Sequence, residues 1–149
     1  MEPTALKAMI VSMLTWISAH TNYPMPTDAP MIALVPHEYI ESVACQGPCD
    51  VIGVYTDERV VYLQNTLAIE SNVCAQSVLL HELVHYNQDL NNRFANLPPV
   101  FRWQLREREA QDVQKMYLSE FGRTVDFSKT FQLGAFSGDS CGYPQYAGG

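Results

Sequence analysis

Apolar residues recur at helical spacing in three long stretches of the chain. The first stretch predicts a helix over residues 4–20. The second predicts a helix that begins at a cap on Ser71 or Asn72 and ends near residue 91. After a break at two prolines, the third predicts a helix over residues 101–121. Trp16 and Trp103 lie within the first and third helices, and we expect both to anchor their helices in the core.

Shorter apolar runs between the first two helices predict strands and one short helix. Residues 31–35 predict a buried strand, and residues 37–44 predict a short helix. The runs at residues 51–55 and 59–63 flank a polar turn at residues 56–58, which is typical of a hairpin. This order of elements predicts an α+β domain, in which a small mixed or antiparallel sheet packs against helices.

The composition narrows the class of protein without naming a function. A chain of 149 residues has the size of one domain, so we expect a single domain over 1–149. A hydrophobic fraction of 47% argues against disorder, and a net charge of −7 argues against binding to nucleic acid. The most apolar stretch, residues 8–17, is too short for a transmembrane segment.

Four cysteines bear on the compartment in which the protein works. Cys45 and Cys49 are close enough in sequence to form one disulfide, and Cys74 and Cys141 could form a second. Disulfides indicate a secreted or periplasmic protein, whereas free thiols or a metal site are the alternatives. The acid Glu2 is not typical of an export signal, so a cytoplasmic location stays open.

The second predicted helix carries the sequence His81-Glu82-Leu83-Val84-His85. Histidines four residues apart lie on the same face of a helix, so His81 and His85 can both bind one Zn²⁺ at about 2.0–2.1 Å. Glu82 lies about 100° around the helix from His81, where it can take a proton from a water on the metal. The alternative is that these side chains only pack or cap, but in a buried helix they need partners, and a metal supplies one.

The third predicted helix offers two acids as a third metal ligand, and helical phase chooses between them. Glu109 lies four residues after Leu105, four before Val113 and seven before Met116, on an apolar stripe that we expect to face inward. Glu107 aligns instead with Gln111 and Gln114 and is expected to face solvent. We therefore predict Glu109 as the third ligand. The alternative is that both acids pair with neighbouring arginines on a solvated face.

At these positions the chain resembles the zincin metalloproteases, and in particular the gluzincin branch. There a Glu from a later helix completes a site of two histidines and one glutamate, as Glu109 would here. Ala110 fits the thermolysin-like pattern, and Asp112, which could hold a ligand imidazole, comes one residue earlier than the family's aspartate. Metzincins carry a third His about six residues after the second. Asn91 and Asn92 stand at that place, which excludes the metzincin branch.

The resemblance implies a zinc-dependent metallopeptidase, with one Zn²⁺ ion held by the two histidines and Glu109. Glu82 would act as general base on a water activated by the metal, and then as general acid. The family also implies an edge strand along the cleft, here the hairpin between Val51 and Leu63. A peptide or protein substrate would bind along this edge as an added strand, and we expect a monomer.

Two other functions remain open at this point. One is a non-catalytic zinc-binding module of the same fold that binds a protein partner, and the other is a zinc hydrolase of a non-peptide amide. The sequence also leaves open which residue would stabilise the oxyanion of the tetrahedral intermediate. Its candidates are Tyr55, Tyr62, Tyr86, Tyr143 and His37.

Overall fold

The helices and strands lie close to the positions that the hydrophobic pattern predicts. The computed structural model describes residues 1–127 and 140–142. The helices are α1 (Pro3–His20), α2 (His37–Ala44), α3 (Val73–Leu90) and α4 (Pro99–Ser119). The strands are β1 (Met31–Val35), β2 (Gly53–Tyr55), β3 (Val60–Gln64), β4 (Thr124–Asp126) and β5 (Ser140–Gly142). The predicted α+β class is confirmed.

Strands β1, β2 and β3 form a small mixed sheet in the order β1-β3-β2. β1 runs parallel to β3, with Met31 opposite Val60, and β2 runs antiparallel to β3, with Gly53 opposite Leu63. The turn between β2 and β3 contains Arg59, whose φ of 62° lies in the left-handed region. The predicted hairpin and the small mixed sheet are therefore confirmed.

β1 is an edge strand, and the expectation that it is buried is wrong. Met31 at its start is 68% exposed and Leu34 is 42% exposed. On β3, by contrast, Val61 and Leu63 are buried and alternate with half-buried residues. Helix packing explains the difference, because α2 and α3 pack against β2 and β3, so that β2 is buried although it too lies at an edge.

Helix α3 runs through the centre of the core. Asn72 caps its start, since the side-chain oxygen accepts a hydrogen bond from the backbone N–H of Ala75 at 3.1 Å. Helices α1 and α4 and strands β2 and β3 all pack against α3. A helix that is surrounded in this way is buried on every side along its middle turns, so the polar side chains there are removed from solvent.

The two tryptophans differ in their surroundings. Trp16 packs against the core, and its indole N–H donates to Glu120 Oε2 at 2.9 Å. Trp103 is 50% exposed, so the expectation that it anchors α4 in the core is wrong. Its neighbours Val100 and Phe101 are also exposed. The first turns of α4 therefore lie outside the core.

Both expected disulfides, Cys45–Cys49 and Cys74–Cys141, are present. The second joins the start of α3 to β5, which pairs in parallel with β4. Two disulfides are compatible with an extracellular or periplasmic protein. Within residues 1–127 and 140–142, no helix has both the length and the apolar character needed to cross a bilayer.

Candidate metal centre

His81, Glu82 and His85 lie together in the middle of α3, and all three are fully buried. One ligand atom from each lies within 4.8 Å of the others. The group follows from the spacing, because side chains four residues apart project from the same face of a helix. This buried group could hold a metal ion.

Helix α4 contributes Glu107 to this group. Its Oε1 lies 2.8 Å from Nε2 of His85, and its Oε2 lies 3.5 Å from Nε2 of His81. Glu107 is only 5% exposed, so the expectation that it faces solvent is wrong. The carboxylate that meets both histidines is therefore that of Glu107.

Glu109 lies one layer away from the histidines. Its carboxylate accepts hydrogen bonds from the Tyr23 hydroxyl and from Gln88 Nε2, and it pairs with Arg93 Nε at 3.3 Å. The expectation that Glu109 is the acid that turns inward to the histidines is wrong. Its side chain is 23% exposed.

The phase of α4 explains why sequence reasoning missed Glu107. Its buried residues are Glu107, Ala110, Val113, Gln114, Tyr117 and Leu118. Met116, which supports the apolar stripe through Glu109, is 41% exposed. The buried face thus carries polar site residues, and its signal is the spacing of Glu107, Ala110 and Gln114 rather than hydrophobicity.

A glutamine orients His81. Oε1 of Gln114 lies 2.8 Å from Nδ1 of His81, and its Nε2 donates to Oγ of Ser77 at 3.0 Å. The Ser77 hydroxyl donates in turn to the carbonyl of Cys74 at 2.7 Å, so it can only accept from the amide. The oxygen of Gln114 therefore faces the ring, and Nδ1 of His81 carries a proton.

A second glutamine orients His85 in the same way. Oε1 of Gln88 lies 2.8 Å from Nδ1 of His85, while its Nε2 donates to the carbonyl of Arg106 at 3.0 Å and to Glu109 at 3.1 Å. Asp112, which we expected to hold a ligand imidazole, is exposed instead. Sequence reasoning missed both glutamines, because an amide has no charge or spacing motif to mark it.

When the rings are neutral, these contacts leave a lone pair on each Nε2, and both lone pairs point at the Glu107 carboxylate. Lone pairs that face an anion at 2.8 and 3.5 Å repel it unless a cation lies between them. Protons on the rings or a metal ion would meet this demand. Two imidazole nitrogens and a carboxylate oxygen also fit the ligand preferences of zinc.

The pKa shifts in the site also indicate that Glu107 is paired with positive charge. Burial opposes charge on the His81 ring, but the negative charge of Glu107 outweighs it and raises the pKa of His81 to about 9. Burial lowers the pKa of His85. Burial works against an ionised Glu107, yet the two histidines hold its pKa at about 2. Glu107 is thus an anion that its histidine partners stabilise.

Glu82 occupies a different environment from Glu107. Neither of its carboxylate oxygens has a hydrogen-bond partner among the described residues, and burial raises its pKa to about 8. Strand β2 passes close by, since a Cβ atom added at Gly53 would lie 3.5 Å from Cγ of Glu82 and 3.2 Å from Cγ1 of Val78. A glycine at this position permits the close approach of β2 to α3.

The candidates for oxyanion stabilisation are held by other partners, as far as the structure describes them. The Tyr55 hydroxyl donates to Asp89 and the Tyr86 hydroxyl to the carbonyl of Asp28. Tyr62 contacts Tyr39, and His37 bonds with Gln64 and with the carbonyl of Cys49. Tyr143 lies outside the described residues.

Residues 2–132 match a family described as "Domain of unknown function (DUF6647)". The chain belongs to this family. No curated protein and no solved structure matches the chain significantly. The match spans α1 to β4, so the buried group on α3 and Glu107 on α4 both lie within the DUF6647 domain.

Proposed function

We propose that this DUF6647 protein is a zinc-dependent metallopeptidase whose single metal ion is held by His81, His85 and Glu107. The observation that carries the proposal is the convergence of two Nε2 atoms on one carboxylate, with both Nδ1 atoms engaged by glutamine oxygens. Two histidines and one glutamate are a typical ligand set of catalytic zinc, which keeps a fourth position open. The gluzincins, which the His-Glu-x-x-His sequence resembles, use the same set.

Glu82 is the residue that would move protons in this site. Bound zinc would act as a Lewis acid and lower the pKa of a water molecule towards neutrality. The Glu82 carboxylate has no competing partner within the described part of the chain, and burial raises its pKa to about 8. A carboxylate beside bound zinc could accept a proton from the water and pass it to a leaving amine.

Strand β2 lies at an edge of the sheet, where a peptide could bind if the groups that bury its three residues moved away. Thr56 at the end of β2 donates its N–H to the carbonyl of Val60, so alternate residues of β2 face β3. The backbone groups of Gly53 and Tyr55 therefore point to the opposite edge, where no described residue pairs with them. We infer that a peptide substrate adds to this edge as a strand and passes beside Glu82.

A groove of about 540 Å³ borders the site on the α4 side. Glu107 lines this groove, and its side chain is 7% exposed, whereas His81 and His85 are fully buried. Phe101 and Trp103 form exposed apolar walls. Aromatic walls next to a charged site would suit an apolar side chain of the substrate. The groove is our candidate for the pocket that selects the substrate.

The disulfides support a location outside the cytoplasm. Cys45–Cys49 and Cys74–Cys141 would persist in an oxidising compartment and be reduced in the cytoplasm. We therefore propose a secreted or periplasmic peptidase.

One observation favours a second candidate function. His81, Glu82 and His85 have no exposed surface, and a fully enclosed metal site is more typical of a structural zinc. In that case the ion would stabilise the fold, and the protein would act by binding a partner.

Zinc analysis together with a Glu82→Gln variant tests the proposal and separates the two candidates. We expect one zinc ion per chain in both forms, hydrolysis of a mixed peptide library by the wild type, and a loss of at least about a hundredfold in the variant. Zinc at one equivalent with no hydrolysis by either form would support the structural role. Absence of zinc from protein that is folded and incubated with the metal would exclude both.

A further inference from the structure

Glu109 lies close to the metal centre without belonging to it. Its Oε1 accepts from Nε2 of Gln88 at 3.1 Å, and Oε1 of the same Gln88 faces Nδ1 of His85 at 2.8 Å. One amide group thus connects Glu109 to a metal-binding imidazole. Glu109 is the acid on the apolar stripe of α4, and it reaches His85 only through Gln88.

The orientation of the Gln88 amide decides where the His85 ring carries its proton. Because the amide oxygen faces Nδ1, that atom carries the proton of the neutral ring, and Nε2 keeps its lone pair towards Glu107. If the amide turned by 180°, its NH₂ group would donate to Nδ1. The ring proton would then lie on Nε2, the atom that would have to bind the metal.

Two acceptors hold the amide in the observed orientation. The carbonyl of Arg106 takes one N–H of Gln88 at 3.0 Å, and Glu109 takes the other at 3.1 Å. The bond to Glu109 involves a carboxylate, and such charge-assisted bonds are about twice as strong as neutral ones. A turned amide would place its oxygen against both acceptors, which is repulsive.

Glu109 is itself fixed from two sides. The Tyr23 hydroxyl, in the connector between α1 and β1, donates to Oε1, and Arg93 between α3 and α4 lies 3.3 Å from Oε2. Together with Gln88 of α3, residues from three segments of the chain therefore contact this carboxylate. The effect is that Glu109 has little freedom to move away from Gln88.

We propose that Glu109 is a positioning residue for His85, which it keeps protonated at Nδ1, and thus ready to bind metal through Nε2, by fixing the amide of Gln88. The consequence for metal affinity rests on the proposed zinc site, whereas the state of the ring can be measured without metal. His81 has a separate arrangement through Gln114 and Ser77, so it serves as an internal reference.

The test compares Glu109→Ala with the wild type in two measurements. In zinc-free protein at one fixed pH, nitrogen-15 NMR of the histidine side chains should show Nδ1 of His85 protonated in the wild type and not in the variant. The Nδ1 signal of His81 should stay unchanged. In a chelator competition, the zinc Kd of the variant should rise about tenfold, as for other residues that orient a metal ligand.

Three further variants keep the test decisive. Glu109→Gln retains an oxygen that can accept from Gln88 and should restore most of the affinity. Arg93→Ala removes only the outer partner of Glu109 and should change the Kd by less than about threefold. If Glu109→Ala unfolds, Glu109→Leu keeps the volume of the side chain without an acceptor, and the same changes are expected of it.

The outcomes separate this inference from the proposed function. An unchanged His85 signal with a zinc Kd within twofold of the wild type would overturn the positioning role. If no form binds zinc, the proposed function fails, but the NMR comparison still decides the role of Glu109.

Discussion

Oε1 of Glu107 lies 2.8 Å from Nε2 of His85, and this contact joins α4 to α3 at the centre of the buried site. Neither atom can serve as a hydrogen-bond donor to the other while Gln88 holds the ring proton on Nδ1. The two atoms therefore attract each other only when a proton or a metal ion lies between them. This requirement is the basis of the metal proposal.

Replacement of Glu107 should remove zinc from the protein. We expect Glu107→Ala to weaken zinc binding by at least about a hundredfold in a chelator competition, because one of the three proposed ligands is lost. Asp112→Ala is the matched control, since Asp112 is an exposed acid on the same helix. Equal zinc affinity in the two variants would show that Glu107 is not a ligand.

Glu82 should make the zinc-free protein less stable as the pH rises. Its pKa is raised to about 8 in the folded state, so the folded form binds the proton more tightly than the unfolded form. The stability that it contributes is complete below its ordinary pKa and is lost as the pH rises towards 8. The free energy of unfolding of Glu82→Gln, relative to that of the wild type, should therefore rise between pH 5 and about pH 8. We expect a rise of a few kcal/mol, on the order of 1.4 kcal/mol per pKa unit.

Urea unfolding of the zinc-free protein at both pH values measures this difference. Glu107→Gln should show the opposite dependence of stability on pH. The pKa of Glu107 is lowered to about 2, so its contribution is present above its ordinary pKa and is lost as the pH falls towards 2. A difference between Glu82→Gln and the wild type that does not change with pH would contradict the assignment for Glu82.

Gly53 should not tolerate a larger side chain. A Cβ atom there would lie 3.1 Å from Cδ2 of Leu63 and 3.2 Å from Cγ1 of Val78, so these side chains would have to move by a few tenths of an ångström. We expect Gly53→Ala to lower the free energy of unfolding by about 1–3 kcal/mol and to reduce peptide hydrolysis. Gly47→Ala is the control, because a Cβ at Gly47 meets no atom within 4 Å. Equal stability of the two variants would argue against the close contact.

Trp103 should affect substrate binding more than the chemical step. Trp103→Ala removes an exposed wall of the groove beside Glu107, so we expect a higher KM for peptides with large apolar side chains and an unchanged kcat. Phe121→Ala, an exposed aromatic beyond the other end of α4, should leave both parameters unchanged. If KM does not differ between Trp103→Ala and Phe121→Ala, the groove does not select the substrate.

The two disulfides should differ in their contribution to stability. Cys74 and Cys141 are separated by 67 residues and Cys45 and Cys49 by 4. From loop entropy, replacement of the first pair by alanines should reduce the free energy of unfolding by about 4 kcal/mol, and replacement of the second by about 2 kcal/mol. Denaturant titration of both double variants measures this order, and the reverse order would contradict it.

Much of the fold could be predicted from local patterns. The bounds of β1 and α2 agree with the apolar runs, and Asn72 caps α3 as expected. Exposure could not be predicted in the same way. Met31 and Trp103 are apolar residues that the fold leaves at the surface, because sheet order and helix packing decide which faces are covered.

The sequence by itself determined the group on α3. Helical geometry brings His81, Glu82 and His85 together from their spacing alone, whatever packs around the helix. Only the tertiary structure decided which acid of α4 meets the histidines. The rotation of a helix about its axis is set by the packing of its whole buried face, and in α4 that face carries Glu107 and Gln114, which hydrophobicity does not mark.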